Sequence, residues 1–296
     1  MSGAPFTALV VLHDSRTDLE RLLASIDRHL PQRPQVVAVD TGSGDGGAGL
    51  ARSWGAEVLE LEGNPGFGAA NNAGLELARA DVTVLLNPDV ELLDGGLADL
   101  ARMAGERGAL LAPRLLNADG SVQRSAHPLP GSAAALLPAV VHPRVLPRAL
   151  RERFDPWRAE RSRPIGWAIA ACLAAPTATL RRLGPFDPAA FLFYEDLELG
   201  LRARDARVAF ELRPEVALRH AGAHSTEPAF GGEPFELLAS RRREVIGARM
   251  GRRALALDDA AQALTFVTRA AGRRARRLDA ERERAQLAAL RASRRG

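Results

Sequence analysis

Short apolar runs alternate with amphipathic segments through the first 112 residues, and this alternation constrains the fold more than any other feature. The runs at residues 8–12, 36–39 and 82–86 have the length and the β-branched content of buried strands. Between them lie segments with apolar residues at helical spacing, such as residues 18–29. Strands that alternate with helices are typical of βαβ units. We therefore predict an α/β fold with a largely parallel sheet.

The rest of the chain divides into an irregular stretch, a second ordered part and a helical tail. Residues 113–164 are rich in proline and arginine, which predicts a partly ordered insertion. Further strands are predicted at residues 167–175 and 208–212, and the pattern is helical after Pro234. These shifts predict a main domain over residues 1–232 and a basic helical extension over residues 233–296.

Charge is distributed unevenly along the chain. All 40 basic residues are arginine, against 36 acidic residues, and 16 of these arginines but only six acids lie in residues 241–296. A basic tail can contact an anionic membrane surface, nucleic acid or only water. This tail has no interleaved aromatic residues and no nucleic-acid motif, so we expect no nucleic-acid partner.

The expected cellular compartment follows from the absence of a recognisable secretory signal and of a clear membrane-spanning stretch. The first residues have no basic region typical of a secretory signal, and four prolines interrupt the longest uncharged stretch, at residues 125–143. One cysteine, Cys172, excludes an internal disulfide. We expect a cytoplasmic protein, with peripheral contact at the inner face of the membrane as a hypothesis for the arginine-rich tail.

Polar residues follow four predicted strands directly. They are His13, Asp40, the segment at residues 64–68 and the segment at residues 87–89. The carboxyl ends of parallel strands share one edge of a sheet, which is where open α/β sheets bind ligands. Each segment alone also fits a turn or a helix cap. Four of them in series favour a nucleotide site with an acid for a metal ion.

Two adjacent carboxylates, Glu195 and Asp196, follow an aromatic run and begin a predicted helix. Acids at this position also stabilise a helix through its dipole, so the sequence alone leaves a capping role open. The functional alternative is a carboxylate base at the mouth of a site with aromatic walls.

These motifs occur in the order and spacing of a known family. The matching segments are VVLHDSRTDLERLLASI, VVAVDTGSGDGG, NPGFGAANNAGL, LLNPDVEL, GWAIAACL, LGPFDPAAFLFYEDLELGLRAR and RHAGAHS. From about residue 9 to residue 225, the chain resembles the inverting glycosyltransferases of family 2, and within them the bacterial rhamnosyltransferases. The resemblance implies a GT-A nucleotide-binding sandwich with a mixed, mainly parallel sheet, followed by a helical extension, with residues 113–164 on the acceptor side.

The resemblance also assigns roles to individual residues. It places Leu12, His13, Asp40, Gly68, Asn72, Asn87 and Pro88 at the nucleotide sugar, Trp167 and Phe193 at the sugar or acceptor, Asp89 and His220 at the metal, and Asp196 and Glu195 in catalysis. Asp40 would contact the base, and Asp196 would act as the general base. Asn87 replaces the first acid of the family's Asp-x-Asp motif, which weakens the expectation of tight metal binding.

The implied activity is inverting transfer of a sugar, with Mg²⁺ or Mn²⁺ as cofactor, in bacterial cell-wall or polysaccharide biosynthesis. The first expected donor is dTDP-rhamnose, followed by UDP- and GDP-sugars, and the acceptor is a hydroxyl of a glycan or polyprenyl-linked glycan. Two alternatives stay open. VVAVDTGSGDGG also resembles the glycine-rich loop of S-adenosylmethionine-dependent methyltransferases, and the chain could be a non-catalytic relative that binds sugar nucleotides or glycans.

Overall fold

Nine strands form one mixed sheet in the computed structural model, which describes residues 4–132, 146–184, 186–187, 192–222 and 233–295. The strands of the described part are β1 (Thr7–Leu12), β2 (Gln35–Asp40), β3 (Glu57–Glu60), β4 (Val82–Leu86), β5 (Val90–Leu92), β6 (Leu110–Leu116), β7 (Ala126–His127), β8 (Arg163–Pro164), β9 (Trp167–Ala168), β10 (Cys172–Pro176) and β11 (Phe210–His220). Strands β7 and β9 pair with each other in a separate small sheet.

The helices cover the sheet and continue beyond it. They are α1 (Arg16–His29), α2 (Gly47–Trp54), α3 (Phe67–Glu76), α4 (Gly96–Arg107), α5 (Arg148–Phe154), α6 (Thr177–Leu183), α7 (Glu195–Asp205), α8 (Phe235–Ala275) and α9 (Glu281–Ala292). No helix in the described ranges is long and apolar enough to cross a membrane.

The main sheet is mixed and mainly parallel, as the resemblance implied. Its order is β3-β2-β1-β4-β10-β6-β11-β5, with β8 beside β11. Strands β1 to β4 are mutually parallel, and β11 is parallel to β6, whereas β10 and β5 run antiparallel to their neighbours. The carboxyl ends of β1 to β4 therefore lie at one edge, as predicted for a ligand site.

Apolar side chains on both faces of the sheet produce two layers of core. Successive residues of a strand point to opposite faces, so Val10 of β1 packs in the layer of α1 and α4. Its neighbour Leu9 packs in the layer of α3, α6 and α7. Gly74 of α3 lies so close to β1 that a Cβ atom would be 2.3 Å from Leu9 Cδ1. The sheet is thus buried between helices, which fixes the orientation of its ligand edge.

The structure corrects the sequence predictions at two strands. The single strand predicted at residues 167–175 is two strands, because β9 pairs with β7 while β10 enters the main sheet. The strand predicted at residues 208–212 continues to His220, with a register shift between Arg213 and Ala217. Pro214 lies at this shift, because proline cannot donate to a ladder.

The stretch at residues 113–164 has more regular structure than the predicted irregular insertion. Within it, β6 continues to Leu116, and β7, α5 and β8 follow. Residues 133–145 lie outside the described part. The predicted domain boundary at residues 232–233 adjoins another undescribed segment and stays a prediction.

Helix α8 is a hairpin that folds back at Gly251, whose backbone (φ 81°, ψ 174°) is not helical. In a straight helix, Arg242 and Asp258 would be separated by about 24 Å. Instead, the Arg242 guanidinium binds both carboxylate oxygens of Asp258, at 2.9 and 2.7 Å. Helix α9 packs on this hairpin, where Arg294 contacts Asp259 at 3.1 Å. The predicted helical extension is confirmed and is folded.

Gly166 offers a test of the packing that supports β9. A Cβ atom there would lie 2.2 Å from the backbone nitrogen of Leu129, so Gly166→Ala should destabilise the protein by about 1–3 kcal/mol through overpacking. Gly49→Ala in α2 is the control, because nothing lies within 4 Å of a Cβ atom there. It should stabilise the helix by about 0.5–1 kcal/mol. Denaturant unfolding measures both, and equal effects would contradict the packing.

Candidate active site

The carboxyl ends of β1 and β2 form one wall of the candidate site. The carbonyl of Leu12 accepts hydrogen bonds from the backbone N–H of Thr41 at 3.0 Å and from its hydroxyl at 2.8 Å. His13 Nδ1 lies 3.2 Å from the same hydroxyl. Asp40 is buried, and its Oδ2 accepts the backbone N–H of Ser43 at 3.2 Å. Asp40 Oδ1 has no partner within the described structure. An unpaired buried acceptor is costly, which suits this oxygen to bind an N–H group of a ligand.

Asp89 and His220 are brought together by the pairing of β5 with β11. Val90 lies opposite His220 in this antiparallel ladder. As a result, His220 Nε2 is 3.3 Å from Asp89 Oδ1. The backbone N–H of Gly222 donates to Asp89 Oδ2 at 2.9 Å. The other ring nitrogen, His220 Nδ1, lies 2.8 Å from Gln123 Oε1, a contact that orients the imidazole.

This pair has the chemistry of a divalent cation site that a substrate completes. Burial would raise the pKa of Asp89, but the hydrogen bond and charge of His220 and the N–H of Gly222 outweigh it and lower that pKa. Asn87 Oδ1, two residues before Asp89, is buried and unpartnered in the described structure. No group of three or more His, Cys, Asp and Glu residues in the described ranges could hold a metal ion. Mg²⁺ commonly takes one or two carboxylates and completes its shell with phosphates and water.

The two predicted catalytic carboxylates lie at the first residues of α7, after a strained turn. Phe193 and Tyr194 have positive φ angles of 74° and 63°, which are uncommon for bulky residues. Burial raises the pKa of both Glu195 and Asp196, and the charge of Asp196 raises that of Glu195 further. Strain and perturbed pKa values in one turn are typical of functional sites, which favours catalysis over capping.

Asp196 lies next to the Asn87–Asp89 turn because both bind the same short backbone segment. The carboxylate of Asp196 is hydrogen-bonded by the backbone of Ala170. The backbone N–H of Asn87 donates to the carbonyl of the next residue, Ala171, at 2.9 Å. These two contacts place the carboxylate of Asp196, the predicted base, on the same backbone segment as the candidate cation site. Pro88 occupies the middle of that turn.

Glu195 faces a different part of the site. It lines a cleft of about 290 Å³ together with Phe193, Arg241 and Arg249, between α7 and α8. Its Oε2 is buried and unpartnered in the described structure. Of the two carboxylates, Asp196 is therefore the one that lies beside the Asn87–Asp89 turn.

Gly68 and Asn72 contact Phe186, which precedes the turn at residues 193–196; we call this turn the catalytic turn after its predicted role. The side-chain amide of Asn72 donates to the carbonyl of Phe186 and accepts its N–H, both at 2.8 Å. A Cβ atom on Gly68 would be 2.7 Å from Phe186 Cβ. Both residues thus have a clear packing role, and their contact with a nucleotide sugar stays a prediction.

Trp167 forms an aromatic wall behind the catalytic turn. Its ring stacks on His127 with centroids 4.4 Å apart, and it lies 6.2 Å from the ring of Tyr194. Burial and the charges of Arg124 and Arg242 lower the pKa of His127 to about 3, so the stacked imidazole is neutral. Trp167 is itself buried, so it shapes the pocket from behind.

Sequence reasoning missed a clamp that connects the C-terminal extension to the catalytic turn. Arg242 of α8 hydrogen-bonds the side chain of Tyr194, and its guanidinium carbon lies 5.7 Å from that ring. Asp258 fixes the guanidinium from the other side through the two hydrogen bonds described above. The two residues come together only through the bend at Gly251, so no local signal in the sequence could have identified the pair.

Comparisons with known proteins identify the family. The sequence model of glycosyl transferase family 2 matches residues 7–159. The chain belongs to this family. The N-acetylglucosaminyl-diphospho-decaprenol L-rhamnosyltransferase of Mycobacterium tuberculosis is 30% identical over 258 residues, which covers 79% of this chain and 80% of the relative. The chain is therefore a glycosyltransferase, and the methyltransferase alternative is wrong.

Solved structures agree with the GT-A fold. The mannosyltransferase PcManGT from Pyrobaculum calidifontis, in complex with GDP-Man and Mn²⁺, has a TM-score of 0.63 at 15% identity, covering 99% of this chain and 86% of that one. GalNAc-T7 with UDP, GalNAc and Mn²⁺ has a TM-score of 0.58 at 16% identity over 81% of this chain. The chain spans about half (48%) of that GalNAc-T7 structure.

The Arg242 clamp predicts a kinetic defect at a distance from the substrate. Arg242→Lys keeps the charge but loses the two-point contact with Asp258, so the catalytic turn should be positioned less well. We expect kcat to fall about 10- to 100-fold while the KM for the donor changes little.

Arg243→Lys is the matched control for this prediction. Arg243 pairs with Asp259 in the same hairpin, but its other contact is the carbonyl of Ser293 near the end of α9. The kcat of the Arg243→Lys variant should stay near that of the wild type. Equal losses of kcat in the two variants would show a general effect of the hairpin and contradict the clamp.

The raised pKa of Asp196 predicts that the ionised form of this carboxyl group destabilises the folded protein. Its pKa in the folded state lies above its ordinary value of 3.8, so stability falls as the pH rises through the folded pKa. Asp196→Asn should therefore raise the Tm by a few degrees at mildly alkaline pH and by nothing below the ordinary pKa. Thermal melts across pH measure this difference, and a difference that is independent of pH would contradict the assignment.

Proposed function

We propose that this glycosyltransferase transfers L-rhamnose from dTDP-L-rhamnose to a hydroxyl of a lipid-linked glycan, with inversion at the anomeric carbon. The observation that carries the proposal is that Asp196 and the Asn87–Asp89 turn are held by the two adjacent residues Ala170 and Ala171. The donor and acceptor classes are supported by the relative that is 30% identical, whose name specifies a rhamnosyl group and a diphospho-decaprenol acceptor.

The nucleotide would bind along the ends of β1, β2 and β4. Asp40 Oδ1 would accept the imino N–H of a thymine or uracil base, which would satisfy this buried oxygen. Leu12 and His13 would line the same pocket. Asn87 Oδ1, the second unpartnered oxygen at this edge, would accept a hydrogen bond from a ribose hydroxyl or from water.

Asp89 and His220 would hold a divalent cation, either Mg²⁺ or Mn²⁺, at the donor diphosphate. When bound, such a cation neutralises the charge that develops on the departing diphosphate. Two solved structures with the same fold contain Mn²⁺, which supports this cofactor class. The lowered pKa of Asp89 keeps its carboxylate ionised for this role at neutral pH.

Asp196 would act as the general base. The acceptor hydroxyl attacks the anomeric carbon on the face opposite the diphosphate, and Asp196 takes the hydroxyl proton as the new bond forms. A base whose pKa is raised toward neutrality is well matched to this transfer. Glu195, whose pKa is raised in part by the charge of Asp196, would keep its proton and leave a single charge in the pair.

The lipid of a lipid-linked acceptor lies in a membrane, so the enzyme would contact the membrane surface to reach it. The excess of arginine in residues 241–296 would attract anionic lipid headgroups on the cytoplasmic side. This contact would be peripheral, through the folded C-terminal extension.

Nucleotide binding tests the proposal by thermal shift with dTDP, UDP, GDP and S-adenosylmethionine, each with and without Mn²⁺. A ligand at 100 times its Kd stabilises by about 2.7 kcal/mol, so dTDP with Mn²⁺ should give the largest shift. Asp89→Asn should remove the Mn²⁺-dependent part of that shift. Asp119→Asn, at an exposed turn, is the control and should leave it unchanged. A larger shift with GDP or UDP would contradict the dTDP donor.

A further inference from the structure

The second half of α8 (residues 252–275) exposes an apolar face. Leu257, Leu264 and Val267 are 47%, 42% and 47% exposed. At 3.6 residues per turn, their positions fall within about 80° of the helix circumference. They therefore form one stripe on the outer face of the hairpin rather than scattered surface residues. A contiguous exposed apolar stripe is a common mark of an interaction surface.

The opposite face of the same helix packs on the protein and combines two buried acids with Leu255, which contacts the core. Asp258 and Asp259 are each 3% exposed. Asp258 pairs with Arg242, and Asp259 pairs with Arg243 and Arg294. A surface helix usually turns all its large apolar side chains toward the core and its acids toward water. Here the ion pairs of the two acids and the packing of Leu255 attach one face to the protein, while Leu257, Leu264 and Val267 face outward.

The composition of the exposed face favours an anionic lipid surface as its partner. Arg253 and Arg274 lie at the two ends of the stripe, and the exposed residues between them on this face are alanines and Thr268 with the three apolar residues. No acidic residue lies on this face within the described helix. Apolar side chains with arginines at the edges are typical of helices that lie in a bilayer interface. The surplus of ten positive charges in residues 241–296 adds attraction to anionic headgroups.

We propose that the stripe of Leu257, Leu264 and Val267 inserts into the surface of an anionic bilayer and docks the enzyme there. The inference rests on the lipid-linked acceptor of the proposed function. The docked helix also carries Asp258, which binds Arg242. Arg242 in turn holds Tyr194 in the catalytic turn, so the docking surface is connected to that turn. The segment that contacts lipid is thus one ion pair away from the catalytic turn.

Vesicle flotation of the full chain tests this surface. Vesicles of phosphatidylcholine are compared with vesicles that also contain phosphatidylglycerol, and the wild type should bind the anionic ones. The double variant Leu257→Glu with Leu264→Glu should bind at least about tenfold more weakly, because it lacks the two leucine side chains that would transfer from water into the bilayer. The matched control is Leu150→Glu with Leu278→Glu, which makes the same change at leucines that are 45% and 52% exposed. This control variant should bind anionic vesicles much more strongly than the variant at Leu257 and Leu264 does.

Three outcomes would overturn the proposed surface. Equal losses in the two double variants would show that only net charge matters. Unchanged binding of the Leu257 and Leu264 variant would show that the stripe does not contact lipid. A wild-type dimer in light scattering that becomes monomeric in this variant would show that the stripe binds a second copy of the chain.

Activity on a short-chain, water-soluble acceptor separates this inference from the proposed function. The Leu257 and Leu264 variant should transfer rhamnose to a soluble N-acetylglucosaminyl diphosphate with wild-type kcat, and lose activity only on acceptors embedded in vesicles. Absence of transfer by the wild type on both acceptors would contradict the proposed function, whereas vesicle binding would still decide the docking surface. Equal losses on the two acceptors would contradict docking through this stripe.

Discussion

Two consecutive residues, Ala170 and Ala171, bind both parts of the candidate active site through their backbone. The first binds the carboxylate of Asp196, and the second accepts the N–H of Asn87. They lie between β9 and β10, where the chain leaves the small sheet and enters the main one antiparallel to β4. The end of β4 and the start of α7 therefore both contact one short turn between β9 and β10. The candidate cation site depends on the same sheet, because the pairing of β11 with β5 places His220 beside Asp89.

The candidate site contains features that destabilise the folded protein, and contacts around the site compensate for them. Two adjacent carboxyl groups are buried with raised pKa values, and two bulky residues before them adopt left-handed backbone. Such features persist only where the surroundings determine them strongly. Here the surroundings include the Arg242–Asp258 pair, which holds the side chain of Tyr194 through Arg242. The C-terminal extension thus belongs to the positioning of the catalytic turn, although it lies outside the segment that the family model matches.

Sequence patterns were informative where function depends on local order. Apolar runs identified strands β1 to β4, because this signal lies within a few residues, and the polar residues after them predict a ligand edge. The pattern failed at residues 167–175, where two strands in different sheets read as one apolar run. It also failed at residues 208–212, because β11 continues past Pro214 through a register shift to His220. Partners such as Arg242 and Tyr194, or His220 and Gln123, are far apart in sequence and meet only through tertiary structure.

The account depends on a base at Asp196 on one side of the donor sugar and a departing diphosphate on the other. The anomeric configuration of the product tests this arrangement most directly. It is read from the one-bond carbon–hydrogen coupling at the anomeric centre in NMR spectra of the rhamnosylated acceptor. Our account predicts that the configuration is inverted relative to the nucleotide sugar. Retention would require a second displacement, and would contradict the role of Asp196 as the general base of a single step.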